Sequence, residues 1–459
     1  MKRFFEILIL LFLAAGSGEV QAQSITWQRT YGMSGIQYGY SIVQTPDKGY
    51  VAAGRKFSNI YVIRLNQFGD TIWTKEFPGF QATSLIKTSD SNYVILGIYG
   101  DVIKINLNGE VIWERHFGIR SRKIKENLDG TLFICGAIIV SGVLRKPVLL
   151  KLKANGDSIF YKEFLSNSFD GYFTDLLISK DSNVVICGNF SDTSVIIDKP
   201  FILKTDFSGN SIWFNSNDLL KYHYTSSIVQ TNDNGFFVGG SINRSMLMKF
   251  DFNGIFQWKK IYDSLHYGEC TYIINTTDSG YAFTGTWDSL NNLDYYVRLY
   301  KLDSNGNEIF RKSFGFNDND VGYNICQTKD SGFAIIGIRD NFQNGDIYII
   351  KTDKLGYANP IVSINNLSNS SIPNFQLSQN YPNPFNPKTI ISYKLQFGGF
   401  TKLKIFNALG HEIITLVNKK QNAGSYEIEF DGSNISSGVY FYKLETEKFI
   451  QTKKMLLIK

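Results

Sequence analysis

Along most of the chain short apolar blocks alternate with polar turns that carry Asp or Gly, a pattern that reads as strands joined by tight turns. Residues 41–54, SIVQTPDKGYVAAG, show the unit: an apolar pair and a polar residue, a turn with Asp, then an apolar run closing on Gly54. This is a hairpin. The same pattern returns six more times, closing on Gly97, Gly136, Gly188, Gly240, Gly285 and Gly337, about 40–50 residues apart, which marks stacked or radial repeats.

Each unit has a second half: an apolar strand, a turn with Gly, and a strand holding an aromatic residue, at Trp73, Trp113, Phe160, Trp213, Trp258 and Phe310. Four short strands, A to D, make the pattern of a propeller blade. A solenoid would be capped by atypical units at both ends. Here the seventh unit stops after its third strand, 346–352, and the missing partner stands at the other end of the repeats. Residues 25–31, ITWQRTY, match the D strands WTKEF and WERHF. A ring needs such a strand, because an open edge leaves backbone groups unpaired. The expected fold is therefore all-β, a seven-bladed β-propeller over 23–358 closed by its N-terminal strand.

Strand A is apolar on both faces in most units, as at Ile42-Val43 and Ile228-Val229, which suits a strand packed between neighbouring blades. Unit three departs with Lys123-Ile124-Lys125-Glu126. Either the strand is ion-paired or irregular there, or a charge points into the central channel.

Composition narrows the class. The chain is 43% hydrophobic and 15% aromatic over 459 residues, which excludes a disordered or collagen-like polymer. From Pro373 onward 11 lysines face 6 carboxylates, so most of the net charge of +6 belongs to the tail. The near-neutral body lacks the basic footprint of a nucleic-acid binder. Lys2 and Arg3 precede an apolar run at 7–15 and the small-residue site Val20-Gln21-Ala22, which reads as a signal peptide over 1–22. No segment reaches the roughly 18 apolar residues of a membrane span, so no integral membrane segment is expected in the mature protein. Export permits disulfides, yet Cys135, Cys187 and Cys326 occupy apolar positions of the repeat and are expected to be small buried hydrophobes. Cys270 is left open.

Residues 24–358 resemble secreted bacterial β-propellers built from repeats of the type SIVQTxDGGY followed by KLDxxGxxxW. The second half-motif also looks like the repeat of pyrroloquinoline-quinone enzymes. These resemblances imply the fold and no single activity. A Ser- and Asn-rich linker is expected over 359–374, and after it six alternating segments predict a small Ig-like β-sandwich over 375–459. Its sequence, with YPNPFNP at 381–387, IFNALGHEI at 405–413, SSGVYFYKL at 436–444 and TKKMLLIK at 452–459, resembles the type A sorting domain of the type IX secretion system. The matching residues include Tyr381, Pro382, Asn383, Pro384, Phe385, Gly410, Gly438, Lys453 and Lys454. The resemblance implies type IX machinery as a partner, passage across the outer membrane, then removal of the domain with attachment or release.

Catalytic signatures are not found. Four dispersed histidines give no metal spacing, no nucleophile elbow or phosphate loop occurs, and no metal or cofactor is expected. The repeated Asp of the A/B turns, Asp47 to Asp330, is expected to cap local backbone N–H groups. The B/C and D/A connections vary and emerge on one face, where recognition is built on a rigid scaffold. Tyr222, His223, Tyr224, Trp287, Asp288, Asp318, Asp320, Arg339 and Asp340 fall there. The reading is an exported propeller that binds an unknown glycan or protein ligand without catalysis. The competing class is an enzyme, acting on polysaccharide or resembling a quinoprotein dehydrogenase.

Overall fold

The computed structural model describes residues 25–32, 35–141, 144–164, 169–192, 198–217, 220, 223–262, 267–288, 295–315, 319–339, 345–359, 376–395, 399–422, 424–446 and 450–459. The expected signal peptide and, from residue 360, the expected linker lie outside them. The chain divides into two compact units, split between residues 364 and 365.

In the first unit seven sheets of four antiparallel strands follow one another. Blade one is Gln37–Gln44, Tyr50–Lys56, Asn59–Leu65 and Thr71–Phe77, as strands A to D. The other A strands are Ala82–Lys87, Arg120–Glu126, Phe169–Ile178, Tyr224–Gln230, Gly268–Asn275 and Val321–Gln327. Blade seven takes its fourth strand from the N-terminus: Trp27–Tyr31 pairs antiparallel with Asp346–Thr352. The ring closes as the repeat count required.

Turn chemistry sets each hairpin. In the A/B turns the fourth residue is left-handed, at Lys48, Ser91, Ser182, Asn234, Ser279 and Ser331 with φ between +59° and +67°, and at Gly130 in blade three. The turn Asp does more than cap. In six blades a buried strand-C cation pairs with it: Arg64 with Asp47, Lys104 with Asp90, Lys204 with Asp181, Lys249 with Asp233, Lys301 with Asp278 and Lys351 with Asp330. Lys249 Nζ also donates to Thr231 Oγ1 at 2.9 Å and to the Phe250 carbonyl at 3.2 Å, so its desolvated charge is fully partnered. Burial would raise the Asp233 carboxyl, but hydrogen bonds from Lys249 and Thr231 dominate and hold it at about 2. Blade three differs, because Lys151 donates instead to the Phe207 carbonyl of blade four at 3.2 Å.

Between blades lie seven apolar cores, each shared by two neighbours, including one in which Ile336, Ile347 and Ile349 of blade seven meet Ile42, Ala52 and Ile63 of blade one. The D-strand aromatic is a staple across the outer edge. A Cβ on the C/D-turn glycine of the next blade, at Gly69, Gly109, Gly156, Gly209, Gly254 or Gly356, would lie 2.4–3.0 Å from the ring of Trp27, Trp73, Trp113, Phe160, Trp213 or Phe310. The indoles of Trp27, Trp73 and Trp113 also donate to carbonyls of that turn, at Gln67, Leu107 and Ala154. Cys135, Cys187, Cys270 and Cys326 are free, and the first three are buried in these cores.

The second unit packs two sheets around one core. Gln376–Leu377, Lys388–Leu395 and Gly424–Asp431 form one, and Glu412–Gln421, Gly399–Asn407, Gly438–Glu445 and Ile450–Leu457 the other. Ile391, Tyr393 and Phe430 face Leu403, Ile405, Tyr442, Leu444 and Met455 between them, a small β-sandwich.

Trp27 carries the closure, lying 7% exposed against Gly69 and edge-on to Tyr50 at 5.7 Å. Trp27→Ala is expected to lower propeller stability by about 3–5 kcal/mol and to promote aggregation through the loosened edge. Denaturant unfolding with light scattering checks this; an unchanged midpoint would remove Trp27 from the closure.

Candidate functional site

The closing glycine of strand B explains the inner surface of the ring. In strand A of every blade the pairing skips one residue: Tyr40, Thr83, Arg122, Thr174, Ser226, Thr271 or Tyr323. At this bulge the strand-A carbonyl crowds strand B. A Cβ on Gly54, Gly136, Gly188, Gly240, Gly285 or Gly337 would stand 1.7–2.3 Å from that oxygen, so only glycine fits. The skipped residues come together around the axis. They line a cavity of about 370 Å³ at the channel mouth, joined by Gln81, Lys123, Tyr224, Glu269, Tyr272 and Asn324.

Aromatic faces dominate one side. Tyr40 meets Tyr323 at 4.9 Å, and Tyr38 stacks on Tyr40 at 5.9 Å. Burial pushes the hydroxyls of Tyr40 and Tyr323 up, the latter to about 12, so both are neutral donors at physiological pH. Opposite them Arg122 holds its guanidinium 5.9 Å from the ring of Tyr172.

The floor is built by the residues that follow the bulge. Ser41, Asp175 and Asn324 use this position to bond the next blade: Ser41 Oγ accepts from Leu85 N–H at 3.1 Å, Asp175 Oδ2 from Ile228 N–H at 3.1 Å, and Asn324 Oδ1 from Ile42 N–H at 3.3 Å. Blades three and six carry Lys123 and Tyr272 there, and these side chains meet across the axis. Lys123 Nζ lies 3.7 Å from the Tyr272 ring centre, and Lys125 Nζ donates to Tyr272 Oη at 3.3 Å. Of the two readings open for unit three, the charge aimed into the channel is the one observed. Lys123, Tyr272 and Asn324 also line the next cavity along the axis, about 490 Å³, so the bridge stands between two chambers. Burial alone would raise the Tyr272 phenol, but the two ammonium groups outweigh it and the phenol sits below its usual range. Tyr272 in turn raises Lys125 to about 12.

The loop residues singled out from sequence divide. Tyr224 lines the mouth. His223 does not reach solvent: it is buried, its Nε2 accepting from Lys259 Nζ at 3.0 Å. Asp320 is fully buried, its N–H donating to the Tyr295 carbonyl at 2.8 Å. Trp287 lies next to the end of strand B of blade six, one face covered by the Arg298 guanidinium at 4.0 Å, with Asp288 beside it. Arg339 ends strand B of blade seven, paired in register with Asp346. Tyr222, Asp318 and Asp340 lie outside the described residues. Of these positions, only Tyr224 among the described residues reaches the mouth, whose other lining residues stand on or beside the strands near the axis. Their signal was present: each skipped residue stands fourteen positions before a closing glycine, as Tyr40 does before Gly54. Among the described residues no side-chain cluster could hold a metal ion, and no helix is long and apolar enough to cross a membrane.

In the tail, the proline-rich motif is tied to the last strand. Phe385 is buried, its N–H donating to the Leu456 carbonyl at 2.9 Å and its own carbonyl accepting from Ile458 at 3.0 Å. Asn383 Oδ1 accepts from Leu456 N–H at 2.9 Å, and the carbonyl of Pro382 accepts from Thr389 Oγ1 at 2.8 Å. Tyr381 stays 81% exposed. Pro384 sits between the two anchors, and Gly410 takes φ +81° in the turn after Asn407. Gly438 opens a strand paired to the terminal one, in which burial lowers the Lys453 ammonium and the Lys454 carbonyl accepts from Gln379.

The family model of the secretion system C-terminal sorting domain matches residues 379–459. The tail is a C-terminal sorting domain. A propeller bearing it is exported to the cell surface or the extracellular space, and the type IX machinery handles the domain. No curated protein matches the chain. Among solved structures it is similar to PorZ, a surface component of the type IX secretion system of Porphyromonas gingivalis, at 12% identity and a TM-score of 0.43 over 90% of this chain. The chain spans 58% of the PorZ chain. The Dos1 propeller is similar at 9% identity and TM-score 0.45, over 74% of this chain and 97% of that one. The C-terminal WD40 domain of Sif2 is similar at 12% and 0.45, over 71% and 98%.

The bridge makes a titration prediction. Because its folded pKa is lowered, Tyr272 should ionise at lower pH than ordinary tyrosines, and Tyr272→Phe should remove the earliest phenolate step in a titration followed at 295 nm. Loss of a late step instead would place the phenol outside the influence of Lys123 and Lys125.

Proposed function

We propose that the propeller is the working part of this exported protein and that it binds a glycan or protein ligand at the channel mouth, without catalysing a reaction on it. The supporting observation is the ring of skipped strand-A residues. All seven blades contribute to one concave surface with tyrosine faces, hydroxyls and cations, a composition suited to recognition. Among the described residues Glu269 is the one carboxylate lining it, so no acid/base pair of carboxylates stands there among them. The cross-channel bridge gives the ligand a floor.

A glycan and peptide array with the exported chain tests this. Tyr40→Ala and Tyr323→Ala should each weaken the bound ligand about tenfold or more, as loss of a stacking face does, with little change in melting. Release of sugars from a polysaccharide panel would instead assign the protein to the enzymes.

The same reading makes residues 375–459 a removable address, joined through a linker at 359–374. The terminal strand at 450–457 closes the tail core and holds the proline-rich motif. Deleting 450–459 in the native host should leave the propeller in the periplasm. Fractionation decides: normal surface or medium levels would show that the tail is not the address.

A further inference from the structure

The charges lining the mouth are uneven. Blade three supplies Arg122 and Lys123, while Glu269 on blade six accepts from the Tyr267 hydroxyl at 3.1 Å. Both cations rest on aromatic faces, Arg122 on Tyr172 and Lys123 on Tyr272, contacts that position a charge without neutralising it. The hydroxyls between them are biased too. Thr83, Ser226 and Thr271 donate to the carbonyls of Leu96, Cys270 and Gly322, and Thr174 gives its proton to Thr225 Oγ1 at 2.9 Å, since the Thr225 hydroxyl itself donates to Asn189, so toward the cavity each offers lone pairs. Such a wall asks for a ligand rich in hydroxyl donors and carrying an anion. A sugar acid supplies both, whereas an acidic peptide presents mainly acceptors.

We propose that the mouth takes an acidic oligosaccharide. Its carboxylate or sulfate ester sits against Arg122 and Lys123, a pyranose face packs on the Tyr40–Tyr323 pair, and ring hydroxyls donate to the threonine and serine oxygens. This rests on the channel mouth being the binding site, and the test separates the two.

Isothermal titration of the full chain would use oligogalacturonate and hyaluronan fragments as carboxylate ligands, a chondroitin sulfate tetrasaccharide as the sulfated one, cellotetraose as the neutral one, and oligoglutamate as the acidic peptide. At least one acidic oligosaccharide should bind about tenfold or more tighter than cellotetraose, weaken as salt rises, and lose about tenfold in Arg122→Gln, whose side chain is exposed enough to replace without unfolding. Which acidic arm responds tells carboxylate from sulfate. Equal binding of neutral and acidic sugars, unchanged in Arg122→Gln but lost in Tyr40→Ala, would overturn the acidic class and leave the site standing. Binding of oligoglutamate with every acidic sugar silent would overturn the saccharide, and acidic-sugar binding untouched by Tyr40→Ala, Tyr323→Ala and Arg122→Gln would overturn the site itself. Silence of all acidic sugars overturns the proposal.

Discussion

The contact on which the blade depends is the close approach of a strand-A carbonyl to the closing glycine of strand B. Any side chain at Gly54 or Gly285 would enter the space of the oxygen of Tyr38 or Glu269. The resulting bulge lets strand A twist sharply near the axis, where blades are crowded. It also turns one residue per blade out of the pairing and toward the channel. This backbone constraint recurs in six blades, and in blade two, where Gly97 instead faces the Asp101 and Ile60 side chains, the same bulge is kept, so seven positions have side chains that the ladder does not dictate. Tyrosine, threonine, serine and arginine occupy them here.

Around that inner device the ring is held by shared apolar cores and by the aromatic staples. Each blade buries its faces only against its neighbours, so no blade is complete alone and the last interface matters as much as any other. The N-terminal strand supplies it. Trp27 does for Gly69 what Trp73 does for Gly109, although the sheet it completes otherwise comes from the opposite end of the ring sequence. Closure by this strand ties distant parts of the sequence into one sheet and leaves no free edge at the seam.

The electrostatics sort into structure and site. Six strand-C cations are spent on the A/B-turn carboxylates and on nearby hydroxyls and carbonyls, which satisfies charges that would otherwise be costly to bury. Lys123 and Lys125 are placed differently, in the strand nearest the axis, and find their partner in the phenol of Tyr272 on the far side of the ring. The departure of unit three from the apolar pattern of strand A is the cause of that bridge. In the tail, likewise, the motif that marks the sorting domain has a structural use, with Asn383 and Phe385 fixing the terminal strand.

The sequence by itself determined the blade count, the closing strand, the two-part organisation and the sorting tail, because these follow from period-two alternation, turn residues and motifs read locally. Residues 25–31 could be assigned to the last blade since a D strand looks alike wherever it stands in the chain. The site was decided by tertiary structure. His223 and Asp320 look like polar loop residues in sequence, yet packing between blades buries them, and burial depends on neighbours that sequence distance hides. Tyr40 and Tyr323 are separated by most of the propeller and meet only because the ring closes between blades seven and one. Lys125 and Tyr272 meet because their blades stand on opposite sides of the same axis. Periodicity fixes which strands form; which side chains share the channel is set by a ring that exists only once all seven blades are in place.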